Sequence, residues 1–366
     1  MKVIMVSNEF PPSIGGVQTH VYELSKAMVR LGHQVAVVTR LSDSALAIQE
    51  VMDGVAVFRV KLSNNHMLYD FKLHRLLQKM IDKEGYQAVH IHGMRPLKAC
   101  KKLSVPVVFT NHTSSFLKRV TKGPKVLHKM KKQLDIAQQI FAPSDELVEA
   151  TKKTGYQGPT SFISNGVDIN RFYPVKSELR KELGIPESAF VAVLARRLVE
   201  KNGVLYFAKA IVKANQPDLH VIVAGDGADR SAFEKIITEG GCTDKVHFLG
   251  GVDNQKMPEV FSAGDVSVLP SLMEATSIAG LEAMACGLPL IGTNVGGIPV
   301  IIQDGETGIL VEPKSPEQLA DALVSLCNNR PLVTRLGENS LNSAKHDFSW
   351  DVIAEKTIRL TFNSAT

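Results

Sequence analysis

Glu274 and Glu282 stand eight residues apart in the segment DVSVLPSLMEATSIAGLEAMACGLPLIGTNVGGIP, residues 265–299. Val266, Val268 and Leu269 predict a buried strand, and the loop after it carries Glu274, Thr276 and Ser277. A helix starting near Ile278 places Glu282 in its second turn. The first N–H groups of a helix lack intrahelical partners and sit at the positive end of its dipole, so this start is shaped for an anion, most simply phosphate. Glu282 then reaches hydroxyls attached to that phosphate, and Glu274 faces the other side. Phosphate flanked by two polyols describes a nucleotide sugar. Each residue alone has a plainer account. Loops after strands are exposed and carboxylates are ordinary there, Glu282 reads equally as an exposed helical glutamate, and Thr276 and Ser277 read as N-caps. Capping and phosphate binding are compatible, because neighbouring backbone N–H groups serve the anion.

Such residues need a scaffold. Val3–Ser7 predicts a strand and EFPPSIGG a loop. Val17, Val21, Leu24, Met28 and Leu31 then fall at helical spacing, Gly32 stops the helix, and Val35–Thr39 is the next strand. Val89–His92, Val105–Thr110 and Ile140–Ala142 predict further strands. NGVDINRFYP is turn-rich, ends in proline and predicts the domain connection. A second series follows at Phe190–Leu194, His220–Ala224, Val246–Leu249, Val266–Leu269, Pro289–Gly292 and Gly308–Leu310. Repeated strand–helix–strand units imply parallel sheets covered on both faces, and two series imply two doubly wound α/β domains. These are assigned to residues 1–170 and 171–348, with a last helix over about 349–366, carrying the only tryptophan, Trp350, packed back on the first. Ligands of such sheets bind beyond the carboxyl ends of the strands, where the loops above lie.

The 366 residues, 44% hydrophobic and 22% charged, are ample for two domains. Four dispersed cysteines form no CxxC or Cys/His cluster, which suits reduced thiols. No apolar run approaches a membrane span. MKVIMVS reads as a core strand and not a signal peptide, so a cytosolic protein is expected. The net charge of +5 is uneven: eleven basic residues and no acid lie between Arg95 and Lys132, leaving −6 for the rest. A local patch points to a local partner.

With strand, loop, two glutamates and helix in place, the segment resembles the signature of family 4 retaining glycosyltransferases, which have the GT-B fold: two Rossmann-like domains across a cleft. The E-x7-E motif matches Glu274 and Glu282. AMACGLPLIGTNVGGIP and DGETGILV match its usual continuation, and other stations of the family agree: EFPPSIGGVQTHVYELSKAMVRLGHQV at the start, HIHG at 90–93, SNGVD at 164–168, ARRLVEKNG at 195–203 and AGDG at 224–227. Two departures stand out. The family has glycine before its arginine where this chain has Ala195, and EGFG where this chain has EATSIAG.

The resemblance implies roles. Glu282 binds ribose, Glu274 orients the donor sugar, and Thr276, Ser277 and Ile278 line the phosphate. The family spacing of five selects Arg196 with Lys201 as the cations for the diphosphate, with Arg197 a competitor; a surface ion pair is the plainer reading. Gly15 and Gly16 read by themselves as a tight turn needing φ > 0, and by resemblance as bare backbone approaching the diphosphate. His90 and His92 share one face of a strand. A lone histidine is more often structural, but the family's second histidine approaches the reacting carbon, which selects His92. Asn111 and His112, ending the next strand, fall on the acceptor side. No D-x-D occurs in the chain, so neither a metal nor any other cofactor is expected, and the arginine, lysine and helix dipole neutralise the phosphates. UDP is favoured over GDP, as in GDP-mannose, and backbone near Phe248–Val252 reads the base. Without a glycosidase-like carboxylate pair, front-face attack with retention is implied, the leaving phosphate taking the acceptor proton. Domain closure would exclude water.

The stretch LKRVTKGPKVLHKMKKQ carries Lys118, Arg119, Lys122, Lys125, Lys129, Lys131 and Lys132 among Leu117, Val120, Val126, Leu127, Met130 and Leu134. A solvated basic face explains it simply. Without aromatics to stack on bases, an amphipathic basic stretch suits an anionic membrane and not nucleic acid. A lipid-linked or glycan acceptor, held by the first domain at the inner membrane face, follows. The rivals are a nucleotide-sugar epimerase of the same architecture, separated by epimer formation without acceptor, and a non-catalytic basic binding module, which would ignore loss of Glu274 and Glu282. A dehydrogenase is disfavoured because the first βα turn lacks GxGxxG.

Overall fold

The computed structural model describes residues 1–13, 15–112 and 114–363. They form two compact units, Met1–Gly166 with the chain from Trp350 onward, and Val167–Ser349.

The first unit carries β1 (Lys2–Ser7), β2 (Gln34–Arg40), β3 (Gln49–Met52), β4 (Val55–Val60), β5 (Ala88–His92), β6 (Val107–Thr110), β7 (Gln139–Ala142) and β8 (Thr160–Phe162). Their order is β3-β4-β2-β1-β5-β6-β7-β8, parallel throughout except for the β3–β4 pair. Winding reverses between β1 and β5, so the loops after Ser7 and His92, which are register partners, diverge there and leave a crevice for ligands. Val3–Val6 of β1 are buried on both faces, as an uninterrupted apolar run demands, and all of β5 is buried too, its His90 and His92 included. The helix Trp350–Asn363 packs on the helix Gly16–Arg30, with Trp350 2% exposed. Residues 364–366, at the end of the expected last helix, lie outside the described residues.

The second unit carries β9 (Phe190–Ala195), β10 (Leu219–Ala224), β11 (Val246–Gly250), β12 (Val266–Leu269), β13 (Leu290–Thr293) and β14 (Gly308–Val311). All are parallel, in the order β11-β10-β9-β12-β13-β14. Its switch point lies between β9 and β12. Phe207 and Phe233, fully buried, anchor one face of the sheet and Phe172 and Phe261 the other. Truncating one such ring to alanine costs about 3–5 kcal/mol.

Three strands were not expected. In β4 only alternate residues are fully buried, β3 is its short antiparallel edge, and β8 has three half-buried residues, so none shows a continuous apolar run. The division between units falls at Gly166/Val167, short of residue 170. The reason is local: the Val167 N–H donates to the Phe348 carbonyl at 2.8 Å and Phe172 packs on Phe261, which ties both to the second unit.

Candidate functional site

Arg196 directly follows β9, and Ser271 and Glu274 lie in the loop after β12, so the switch point brings them together. Arg196 Nη1 donates to Ser271 Oγ at 2.6 Å, and Nη2 donates to the Glu274 carboxylate. The two charged side chains are 9% and 19% exposed. A guanidinium this far from water needs a counter-charge, and Glu274 supplies it. Thr293 Oγ1 donates to the Ser271 carbonyl at 2.6 Å, which fixes the loop. The competing arginine, Arg197, is exposed, and its carbonyl accepts from Asn202 Nδ2 at 2.8 Å. Lys201 is exposed in the turn Glu200–Asn202, and its carbonyl accepts the Leu272 N–H at 2.9 Å. Two glycines make this close lacing possible. Gly203 (φ +65°) and Gly296 (φ +55°) each hold a position where a Cβ would stand 1.7 Å from a carbonyl oxygen, of Pro270 and Glu274 respectively.

The helix Ile278–Ala285 starts where the loop ends, with Ser277 as its N-cap, Oγ accepting from the Gly280 N–H at 3.2 Å. Thr276 and Ser277 are both buried, and Ile278 is half-buried. Glu282 is in the second turn and only 7% exposed, which removes the surface-glutamate account. Cys286, one turn on, has its thiol pushed up to about 12 by burial and then by the charge of Glu282. Phe248 to Val252 sit at the carboxyl end of β11, on the same edge of the sheet.

The first unit gathers histidines at its own switch point. His92 ends β5, His90 precedes it on the same face, His112 follows β6, and His20 comes from the helix Gly16–Arg30. Ring centroids are 4.2 Å apart for His90–His92, 5.2 Å for His92–His112 and 4.4 Å for His20–His112. His20 Nδ1 pairs with Asn165 Oδ1 at 2.8 Å, His90 Nε2 with Thr110 Oγ1 at 2.6 Å, and His92 Nδ1 with His112 Nε2 at 2.9 Å. Among the described residues, His92 Nε2 is buried without a hydrogen-bond partner, a state that costs about 1–3 kcal/mol. Burial holds His20 at about 4 and His90 at about 3, and drives His92 and His112 well below the ordinary value, each helped by the other rings except His20, where Asn165 opposes it. All four are neutral at pH 7. Asn111 is buried, with its N–H donating to the Phe141 carbonyl at 2.9 Å.

Gly15 and Gly16 do not form a turn of positive φ. Gly15 is extended at φ 169° and caps the helix Gly16–Arg30. A Cβ on Gly15 would meet Gln18 Oε1 at 2.5 Å, whereas one on Gly16 would meet nothing within 4 Å, so this helix start is open to approach.

The basic stretch forms helices Ser114–Val120 and Pro124–Leu134. Lys118, Lys122, Lys125, Lys129 and Lys132 are exposed, while Arg119 contacts Met94 Sδ at 3.4 Å and Lys131 pairs with Asp135 at 2.7 Å. Its apolar side is not available to a membrane: Met130 and Leu134 are buried and Leu117, Val120 and Val126 pack on the core. Exposed apolar residues lie elsewhere, among them Met67, Leu68 and Phe71, which are 80, 53 and 63% exposed in the first turns of the helix His66–Glu84. That helix and Pro124–Leu134 pack against the same turn, Pro96–Cys100. Among the described residues no helix is long and apolar enough to cross a membrane.

Sequence reasoning missed Ser271, His20, Asn165 and the Met67–Phe71 patch. Only the last carried a signal, three large apolar residues within five positions.

A family model described as Glycosyltransferase Family 4 matches residues 14–171, and one described as Glycosyl transferases group 1 matches residues 175–343. A D-inositol 3-phosphate glycosyltransferase of Actinosynnema mirum is 29% identical over 94% of this chain and 91% of its own. The phosphatidylinositol N-acetylglucosaminyltransferase gpi3 subunit of Schizosaccharomyces pombe is 26% identical over 96% of this chain and 78% of its own. HepE of Anabaena, solved in complex with UDP, shares the fold at a TM-score of 0.80 and 20% identity, over 98% of this chain and 99% of that one. With both halves matched in order and both sheets wound as described, the chain belongs to the group 1, family 4 glycosyltransferases of the GT-B fold.

Proposed function

We propose that this glycosyltransferase moves a sugar, with retention, from a nucleoside diphosphate sugar to a hydroxyl of a lipid-linked inositol phosphate at a membrane surface, without a divalent ion on the diphosphate. The observation that carries the reading is the Arg196–Glu274–Ser271 group beside the start of the helix Ile278–Ala285. Arg196 meets the diphosphate, and Glu274, released from part of its pairing, turns its oxygens to the sugar hydroxyls. Lys201 adds a second cation, and Glu282 takes the ribose. The acceptor oxygen bonds to the anomeric carbon on the face that the diphosphate leaves, the carbon–oxygen bond to phosphate breaks, and the departing oxygen takes the acceptor proton. Charge grows on that oxygen, and fixed cations and N–H dipoles lower the barrier without reorganising.

UDP is the favoured nucleotide, with GDP-mannose second, supported by the UDP-bound neighbour. The names of two relatives share inositol phosphate chemistry, which supports that acceptor. The exposed lysines, at about 1 kcal/mol each near an anionic leaflet, support the lipid-linked form, with Met67, Leu68 and Phe71 as apolar contacts beside them.

The test is product formation from a panel of UDP- and GDP-sugars, in excess chelator, with free inositol phosphate and with phosphatidylinositol vesicles. Transfer to the vesicle acceptor with retained anomeric configuration is expected. Loss of turnover in chelator, inversion, or epimerisation of donor without acceptor would overturn it.

A further inference from the structure

His20, His92 and His112 reach one point from three segments, and each can direct one ring nitrogen so that the three lie within 4.8 Å of one another. His92 Nδ1 and His112 Nε2 are already 2.9 Å apart. In a tetrahedral site with bonds of 2.0–2.1 Å, the nitrogen–nitrogen edge is roughly 3.3 Å.

Two further features suit an ion. Asn165 Oδ1 sits 2.8 Å from His20 Nδ1, accepting its N–H and leaving Nε2 with the lone pair. An outer oxygen that fixes the tautomer and ring plane is the usual companion of a metal-binding histidine. The neutral imidazoles are already in the form that binds a metal. His90 stays outside the set, because its Nε2 is held by Thr110 Oγ1 at 2.6 Å.

We propose that His20, His92 and His112 form a site for a late first-row divalent ion, Zn2+ foremost, with a fourth position open to water or ligand. Three imidazoles favour such ions over Mg2+. The site is therefore distinct from a diphosphate-bridging cation, goes beyond the sugar-transfer reading and stands without it.

The experiment strips the full-length protein with chelator, titrates it with Zn2+ against a chromophoric chelator, and separately with Co2+. Saturable uptake of one ion per chain and the strong visible bands of four-coordinate Co2+ are expected. Asn165→Ala should weaken binding by about 10–100-fold, His20→Ala and His112→Ala by more, and exposed His128→Ala not at all. Absence of saturable binding, a six-coordinate Co2+ spectrum, or unchanged titrations in the His20 and His112 variants would overturn the site. If a histidine variant does not fold, the wild-type Co2+ spectrum decides.

Discussion

At the switch point of β9 and β12 a guanidinium lies against a carboxylate. At that of β1 and β5 four imidazoles gather, all lowered by burial, and His90, His92 and His112 further by neighbouring rings. Both sheets are doubly wound and both place their polar residues at the same topological position. The difference is electrostatic. A diphosphate requires fixed charge, and a partly buried arginine can be kept in waiting only by an acid that shields it. The imidazoles need no counter-charge: a neutral ring both donates and accepts, and it survives burial at the cost of a lowered pKa. The same topology thus carries two kinds of electrostatic environment, set by a few residues at the ends of two strands.

Acid should separate the units most strongly. A histidine lowered by folding binds its proton more tightly when unfolded, so its contribution is whole above the unfolded value of 6.5 and is lost as pH falls through the folded value. His20, held at about 4, accounts by itself for roughly 3 kcal/mol between those limits, and His90 adds in the same direction. In chelator, the first unit should unfold before the second as pH drops from 6.5 to 4, seen by hydrogen exchange of β1 and β5 against β9 and β12. Equal loss in both would break the contrast.

Removing the charge itself comes next. Arg196→Met should raise the barrier by about 3–4 kcal/mol, by analogy with loss of an oxyanion donor, and lower kcat by about 10²–10³. Arg197→Met, on an exposed side chain, should stay within a factor of about two on surface-substitution grounds. Steady-state kinetics with one donor and acceptor pair checks both. Equal effects would mean that the pairing with Glu274 and Ser271 does not select the arginine.

These contrasts are unevenly legible in the chain. Continuous apolar runs such as FVAVL and HVIVA announce β9 and β10 because a covered parallel strand is buried on both faces. VAVFRV does not, since only alternate residues are fully buried. Resemblance to the family motif picks out Glu274, Glu282 and Arg196, but not the ion pair between two of them, which depends on which strands become neighbours. Ser271 is fully buried and gives no sign, because a single serine after a strand has no pattern. His20 lies beside Val21 on an amphipathic helix and looks like part of its periphery; only the tertiary fold shows it against His112. The basic stretch reads correctly in charge and wrongly in its apolar side, because periodicity cannot say whether a stripe faces a core or a membrane.

Surface charge on the first unit should act on docking and leave donor chemistry alone. Lys118→Glu, Lys125→Glu and Lys129→Glu together remove three attractive charges and add three repulsive ones. At about 1 kcal/mol each, binding to anionic vesicles should fall by at least 10², while thermal stabilisation by nucleotide in the second unit is unchanged. Sedimentation with vesicles measures the first and a melting curve the second. Loss of nucleotide response would tie the basic face to the diphosphate and dissolve the division of labour.

The smallest effect concerns salt. Donor affinity that depends on Arg196 and Lys201 should weaken severalfold between low and physiological ionic strength, because exposed Lys201 is screened within a Debye length of about 8 Å. Stripped of metal in chelator, the histidine cluster carries no net charge at pH 7, so the relative effect of His92→Asn on turnover there should be the same at both salts. Salt dependence that grew on losing His92 would mean that an imidazolium takes part, and the neutral description of that switch point would fail.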